Sequence, residues 1–212
     1  HVGTVQAVRG VDLTVGEGET VGIVGESGCG KSVSMMSILH LLPKNAQIQC
    51  DKMVFDGMDL TRATSQQLRH IEGDKIGMIF QDPMTSLNPL FTVEKQLAEP
   101  LRIHKGMSKA QARERALELL KTVNMPDPAS RLKQYPHELS GGQRQRVMIA
   151  MAIACGPKLV IADEPTTALD VTIQAQILDL LRELKEKLNT AVVMITHDLG
   201  VIAGMCQRVV VM

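Results

Sequence analysis

The sequence has few cysteines, and they are too widely spaced to form a motif. Cys29, Cys50, Cys155 and Cys206 lie far apart, with no C-x-x-C pair among them. Zinc ribbons and redox-active dithiols need closely spaced cysteines, and disulfide frameworks need a dense set of them. The spacing therefore argues against structural zinc and disulfides and favours reduced thiols, as in a cytosolic protein.

Net charge is also absent, and so are long apolar segments. Lysine plus arginine total 23, equal to aspartate plus glutamate, so no overall field favours nucleic acid or an anionic membrane surface. The longest unbroken apolar run, residues 147–155, is about half as long as a segment that crosses a bilayer, and no signal peptide opens the sequence. We therefore expect no nucleic-acid partner, and we expect any membrane role to depend on another protein.

The chain has the size of one α/β domain with an insertion. Its 212 residues are 44% apolar, which is enough for a substantial core. The sequence begins at His1 and stops inside the apolar run 209–212, so we expect it to be trimmed at both ends.

One glycine-rich stretch organises the sequence. It fits the pattern G-x-x-x-x-G-K-[ST] and consists of Gly25, Glu26, Ser27, Gly28, Cys29, Gly30, Lys31 and Ser32. The apolar run 20–24 predicts a buried strand before it, and residues 33–42 predict a helix after it that ends at Pro43. In that context the glycines turn backbone N–H groups towards an anion at the positive end of the helix.

Two side chains of this loop suit a nucleotide. Lys31 is expected to reach the β- and γ-phosphates, and the Ser32 hydroxyl can ligate Mg²⁺. The alternative is a glycine-rich turn that matches by accident, but the predicted strand and helix on either side disfavour it.

The remaining periodicity predicts strands that alternate with helices. Strands are predicted within 2–15 and 48–60 and at 75–80, 158–164 and 191–195, and helices at 65–72, 108–124, 142–155 and 172–188. Ser108 and Gln111 make a predicted capping box. The stretch after residue 83 is predicted to be loop-rich, because prolines interrupt it as far as Pro100. The alternation indicates a mainly parallel sheet, and residues 84–156 are interpreted as a helical insertion.

Polar residues follow the predicted strands at the edge where such sheets bind ligands. Asp163 and Glu164 end one apolar strand. Gln81 ends another strand, and His197 follows a third. Asp163 is placed to hold Mg²⁺ through water or Ser32, and Glu164 to orient or deprotonate an attacking water. An acid pair after a strand is also consistent with a helix N-cap, so these roles depend on the nearby phosphate loop.

A second pattern typical of an anion site is Leu-Ser-Gly-Gly-Gln at 139–143. Ser140 can cap the helix that follows, while Gly141 and Gly142 leave its first amides open to a phosphate. By itself the pattern would be only a cap and a turn. Two phosphate-directed helix starts in one small domain need a common explanation.

With these motifs the sequence resembles the ATP-binding cassette family. The matching elements are the phosphate loop 25–32, the glutamine loop at Gln81, the signature 139–143, the strand 159–163, Glu164, the D-loop 168–170 and the switch histidine His197. The resemblance implies a single α/β domain of the P-loop NTPase type over 1–212. A mainly parallel core with an antiparallel β subdomain would span 1–83 and 157–212, and an inserted helical signature subdomain would span 84–156.

The resemblance also implies roles for the residues, with ATP and Mg²⁺ as cofactors. ATP would lie between the phosphate loop of one cassette and the signature of another. Nucleotide-binding residues would be the whole of 25–32 with Ser140, Gly141, Gly142, Gln143 and Asp170. Ser32, Gln81 and Asp163 would surround the metal, and Glu164, His197 and Gln81 would be catalytic.

Finer likeness points to a subgroup. Residues 80–89, 135–138, 144–152 and 166–172 look like the ATPases of oligopeptide, dipeptide and nickel importers, most of all their D-type subunit. The implied partners are a second ATPase subunit (a related F-type chain or a second copy), two transmembrane permease subunits and, indirectly, an external solute-binding protein. The implied location is peripheral, on the cytoplasmic face of the inner membrane. Two features depart from the pattern: no aromatic residue precedes Phe55 to stack on adenine, and the cysteine-rich C-terminal extension is absent.

The alternative is a soluble cassette ATPase that acts on DNA or ribosomes. DNA-directed members split the cassette with a long coiled coil or a zinc insertion, whereas about a hundred residues without heptads separate Lys31 from Ser140 here. The balanced charge also favours the transporter.

Overall fold

The computed structural model describes residues 5–167 and 169–212 and contains two sheets. The strands are β1 (Thr20–Val24), β2 (Val54–Phe55), β3 (Met58–Asp59), β4 (Ile76–Ile79), β5 (Leu159–Asp163), β6 (Ala191–Ile195) and β7 (Arg208–Val211). The larger sheet has the order β4-β5-β6-β1-β7, and all its pairings are parallel. The smaller sheet is the antiparallel hairpin of β2 and β3.

Both faces of the larger sheet are covered, as expected for parallel strands. In β5, Val160 and Ala162 belong to one buried cluster and Ile161, between them, belongs to another. Successive side chains of a strand point to opposite faces, so a continuous apolar run gives a strand that is buried on both sides. This is why the apolar runs of the sequence were good predictors of β4, β5 and β6.

Helices surround the sheet. They are α1 (Lys31–Ile38), α2 (Ser65–Ile71), α3 (Pro83–Ser86), α4 (Val93–Lys105), α5 (Lys109–Thr122), α6 (Pro128–Arg131), α7 (Gly141–Ile153), α8 (Val171–Leu188) and α9 (Leu199–Met205). The predicted fold class, a mainly parallel α/β sheet with a small antiparallel sheet and helices, is confirmed. No helix in the part of the chain that the structure describes is both long and apolar enough to cross a membrane.

The start of α5 is set by a capping residue, as predicted. Ser108 begins α5 with the expected capping box, because its hydroxyl accepts from the Gln111 backbone N–H and the Gln111 side chain accepts from the Ser108 N–H. Each bond satisfies an amide that a helix start leaves without a partner.

The predicted β structure before the phosphate loop is wrong for the described residues 5–15, which form no strand. Leu13 and Val15 still pack against the core, which explains the apolar alternation. A strand also needs a free sheet edge to pair with, and the sequence pattern does not reveal one. The start of that region, Val2, and Ala168 of the predicted D-loop lie outside the described residues. Residues 48–53 likewise form no strand.

The loop-rich prediction for residues 83–100 is also wrong. Pro83 is the first residue of α3, and Pro100 lies inside α4. A proline removes one hydrogen bond from a helix interior, but Val93, Leu97 and Leu101 of α4 are fully buried. Burial of that face outweighs the lost bond, because tertiary packing supplies most of the stability of a protein helix.

The remaining differences are the end of one predicted helix and elements that were not predicted. The helix α1 ends at Ile38 and not at Leu42, since Leu39 caps it and His40 adopts a left-handed φ of 49°. The elements α9 and β7 were not predicted, and β7 pairs with β1.

Candidate functional site

The loop after β1 is built for close backbone approach. Gly28 and Gly30 have φ of 82° and 101°, values that residues with a side chain rarely adopt. A Cβ on Gly30 would lie 2.9 Å from the Ala7 carbonyl oxygen. The helix α1 then begins at Lys31, so the loop lies directly at the N-terminus of that helix.

Lys31 fills this loop with its ammonium group. Its Nζ donates to the carbonyl oxygens of Gly25 and Glu26, at 2.8 Å each, and only 7% of the residue is exposed. The Cys29 Sγ lies 3.6 Å from the same nitrogen. A buried cation with exchangeable carbonyl acceptors is suited to an entering anion, which would offer stronger acceptors.

Ser32 and Asp163 meet beside the loop. The Ser32 Oγ donates to Asp163 Oδ1 at 2.9 Å, although β6 lies between β5, which ends at Asp163, and β1, which leads into the loop before Ser32. Asp163 is 3% exposed, and burial raises the pKa of its carboxyl group while the Ser32 bond opposes that rise. A buried carboxylate next to a hydroxyl is an oxygen set that a hard divalent cation would favour.

Glu164 is the meeting point of three strand ends. Its Oε2 accepts from the Gln81 Nε2 at 3.0 Å, and its Oε1 lies 3.4 Å from the His197 Nδ1. Gln81 follows β4 and His197 follows β6, the two neighbours of β5 in the sheet. The structure therefore brings Gln81, Glu164 and His197 together.

Thr167 also contacts this carboxylate, and no role was predicted for it. Its Oγ1 donates to Glu164 Oε2 at 2.8 Å. The sequence contains only a weak indication of this contact, because a threonine lies three residues after a glutamate and Pro165 favours a turn between them.

The signature residues form a second group. Ser140 caps α7, its hydroxyl accepts from the Gln143 N–H, and the Gln143 side chain accepts from the Ser140 N–H. The Gln143 amide oxygen is thus engaged within the chain. Asp170 caps α8 by accepting from the Ile173 N–H at 3.0 Å.

The glycines of the signature face the start of α8. A Cβ on Gly141 would lie 3.6 Å from Leu169 Cδ2, and one on Gly142 would lie 2.8 Å from Ile173 Cγ2. Among the described residues, no hydrogen bond or ion pair links 140–143 to the phosphate loop 25–32. The structure brings Gly141 and Gly142 next to Leu169 and Ile173, and it does not join the signature to this chain's own loop.

Arg144 is another residue that sequence reasoning missed. Its guanidinium donates to the carbonyl oxygens of Leu139 and Pro136, which belong to the segment just before Ser140. It therefore braces the backbone that leads into the signature.

Comparison with known proteins agrees with this geometry. The family model described as ABC transporter matches residues 8–167. The chain is 58% identical over 208 residues to the probable peptide ABC transporter ATP-binding protein y4tR of Sinorhizobium fredii, covering 98% of this chain and 62% of that protein. It is 57% identical over 211 residues to the dipeptide transport ATP-binding protein DppD of Bacillus subtilis, covering 99% and 63%.

The oligopeptide transport ATP-binding protein OppD of Salmonella typhimurium is 55% identical over 210 residues, covering 99% of this chain and 62% of that protein. The chain thus spans about three fifths of the length of the curated relatives it matches. Among solved structures, a dimeric ATP-binding cassette in a post-hydrolysis state with ADP and Pi is similar at a TM-score of 0.83. It is 35% identical, over 97% of this chain and 86% of that one.

Proposed function

The chain belongs to the ABC transporter family, and we propose that it binds and hydrolyses ATP to power the import of peptides. The observation that carries the proposal is the Glu164 carboxylate, held between Gln81 and His197 beside the Lys31 loop and the Ser32–Asp163 pair. Support for the peptide solute comes from the relatives, which are named as peptide, dipeptide and oligopeptide transport proteins.

Residues 25–32 would hold the phosphates of ATP. The loop fits this task, because its central cation is buried and its glycines leave the backbone accessible. Lys31 would exchange its bonds to the loop carbonyls for bonds to the β- and γ-phosphates.

Ser32, Asp163 and Gln81 would hold Mg²⁺. Asp163 fits, since its buried carboxylate is oriented by the Ser32 hydroxyl and carboxylate oxygens are preferred ligands of this cation. When bound, Mg²⁺ would neutralise charge that develops on the phosphates.

Glu164 would act as the general base for the attacking water. His197 and Gln81 would orient the carboxylate and the reacting groups, since both already contact its oxygens. These three residues are the proposed catalytic set.

The signature would act on a nucleotide held by another cassette. Gly141 and Gly142 lie beside Leu169 and Ile173, and within the described part of the chain Ser140, Gly141, Gly142 and Gln143 have no hydrogen bond to its own phosphate loop. This arrangement favours a dimer with a second ATPase subunit, either a related chain or another copy. Residues 84–156 would be the helical signature subdomain, and 1–83 with 157–212 the nucleotide-binding core.

Two permease subunits and, indirectly, an external solute-binding protein would complete the transporter. The chain would then be a peripheral subunit on the cytoplasmic face of the membrane. No nucleic acid is proposed as a partner.

The decisive test is Glu164→Gln in the full-length protein, purified with the subunits that co-purify from its own membranes. ATP should still bind, while hydrolysis falls by roughly 10²–10⁴-fold, the usual range for a lost general base. The exposed Glu183, changed to Gln, is the matched control. Hydrolysis at the wild-type rate in Glu164→Gln would remove Glu164 from the proposed role. Uptake of a labelled dipeptide by cells with and without the intact gene tests the solute.

A further inference from the structure

The two oxygens of the Glu164 carboxylate have different surroundings. Oε2 accepts two hydrogen bonds, from Gln81 Nε2 at 3.0 Å and from Thr167 Oγ1 at 2.8 Å. Oε1 has the imidazole of His197 at 3.4 Å. A carboxylate oxygen has about two lone-pair sites, so both sites of Oε2 are used by protein donors.

The backbone of Glu164 explains why Thr167 reaches this oxygen. Glu164 has φ of 44°, a left-handed conformation that residues with a side chain rarely adopt. Two backbone bonds hold it there. The Glu164 N–H donates to the Ile195 carbonyl at 2.9 Å, and the Thr167 N–H donates to the Glu164 carbonyl at 3.1 Å.

The second of these bonds closes a turn over residues 164–167, and this turn carries the Thr167 hydroxyl back onto the carboxylate. The backbone bond does not involve the hydroxyl. Removing the hydroxyl should therefore leave the turn closed, and its contribution to the carboxylate can be measured separately.

We propose that Thr167 is a positioning residue that, together with Gln81, occupies Oε2 and so assigns the role of base to Oε1. The inference rests on the proposed function and adds to it the identity of the reacting oxygen. The attacking water lies on the His197 side of the carboxylate and gives its proton to Oε1.

Hydrolysis by this route needs no reactant other than ATP and water. The electron pair of the broken water O–H bond remains on oxygen, which forms the new bond to the γ-phosphorus. The bond from that phosphorus to the bridging oxygen breaks, and ADP leaves with its electron pair. The proton on Oε1 returns to the phosphate product or to solvent, so Glu164 is regenerated.

The test compares two substitutions in the full-length protein, purified with its co-purifying subunits. Thr167→Val keeps the shape and removes the donor, whereas Thr167→Ser keeps the donor. We expect Val to lower kcat by about 10- to 150-fold, the range for one hydrogen bond to a charged group. The affinity for ATP should stay within about twofold, and Ser should restore most of kcat. Thr172→Val, the same change at an exposed position of α8, is the matched control and should leave kcat unchanged.

A double-mutant cycle separates positioning from a merely structural role. If Thr167 acts through the carboxylate, Thr167→Val should slow a Glu164→Gln enzyme little further in single-turnover measurements. The same full loss in that background would overturn the proposal, and so would wild-type kcat in Thr167→Val or a Ser variant as slow as Val.

Failure of the proposed function would give a different set of results. If the wild-type complex does not hydrolyse ATP, or if Glu164→Gln hydrolyses it at the wild-type rate, the assignment of Glu164 falls and the role of Thr167 falls with it. If Glu164→Gln is inactive and Thr167→Val is fully active, only the inference about Thr167 is refuted.

Discussion

Replacing Lys31 with methionine should weaken ATP binding while leaving the fold intact. Methionine keeps most of the length of the side chain and removes the ammonium group. That group bonds to the carbonyl oxygens of Gly25 and Glu26 at 2.8 Å, and the residue is almost completely buried. The loop therefore loses its central cation, and the strands behind it are untouched.

The size of the effect follows from an exchange of acceptors. A hydrogen bond that involves a charged group contributes about 1.5–3 kcal/mol net, so loss of one such bond to phosphate weakens binding by about 10- to 150-fold. Lys31 already has two neutral acceptors before ATP enters, and giving them up offsets part of a second phosphate bond. We therefore expect ATP affinity to fall by roughly 10- to 100-fold. The free energy of unfolding should change by less than about 1 kcal/mol, because the freed carbonyls lie in a partly exposed loop.

Nucleotide titration of the purified full-length protein measures this affinity, and circular dichroism with urea unfolding checks the fold. Methionine in place of the exposed Lys44 is the control for loss of one positive charge, and it should bind ATP as the wild type does. An unchanged ATP affinity in Lys31→Met, with the Lys44 control behaving normally, would refute the assignment of the loop. Equal losses in both variants would show that only net charge matters.

Three further results are expected. Gly142→Asp should leave the ATP affinity of the isolated chain unchanged but lower the ATPase activity of the complex. Gly142→Ala is the control for steric strain, because its Cβ would make the same 2.8 Å contact with Ile173 Cγ2. Weaker ATP binding by the isolated Asp variant would mean that the signature acts on the nucleotide of its own chain. Asp163→Asn should raise the free energy of unfolding of the protein, measured without nucleotide, by about 0.5–2 kcal/mol at pH 7. Burial raises the pKa of Asp163 in the folded protein, so the loss of stability begins as pH rises above the ordinary carboxyl pKa and is complete above the raised one. The gain, measured by urea unfolding, should shrink as pH falls and Asp163 takes up a proton, and a gain that grows at low pH would contradict the burial argument. Burial raises the pKa of the Cys155 thiol to about 11, so about one molecule in a thousand carries the thiolate at pH 8. Iodoacetamide should therefore alkylate Cys155 far more slowly than the exposed Cys50 until the chain is unfolded. Equal alkylation rates of the two thiols in the folded protein would contradict this prediction.

The sequence by itself determined the features that depend on neighbours in the chain. The capping box of Ser108 and Gln111, the strand β5 and the presence of a helix directly after the phosphate loop follow from residue types within a few positions of one another. The chemical types of the proposed site residues were also readable, since a phosphate loop, an acid pair and a signature each have a local pattern.

Where sequence reasoning was wrong, long-range packing decided the outcome. The helix α4 tolerates Pro100 because Leu97 and Leu101 are buried against other helices, which no local rule on proline contains. Residues 5–15 show strand-like alternation, yet no sheet edge pairs with them in the part of the chain that the structure describes.

Only the tertiary structure decided how the polar residues at the strand ends meet. The order β4-β5-β6 puts Gln81 and His197 on either side of Glu164, and strand order is a property of the sheet and not of any single strand. The left-handed backbone of Glu164 depends on a bond to Ile195 in β6. The two oxygens of this carboxylate have different partners, because Gln81 and Thr167 bond to Oε2 while His197, from another strand end, lies at Oε1.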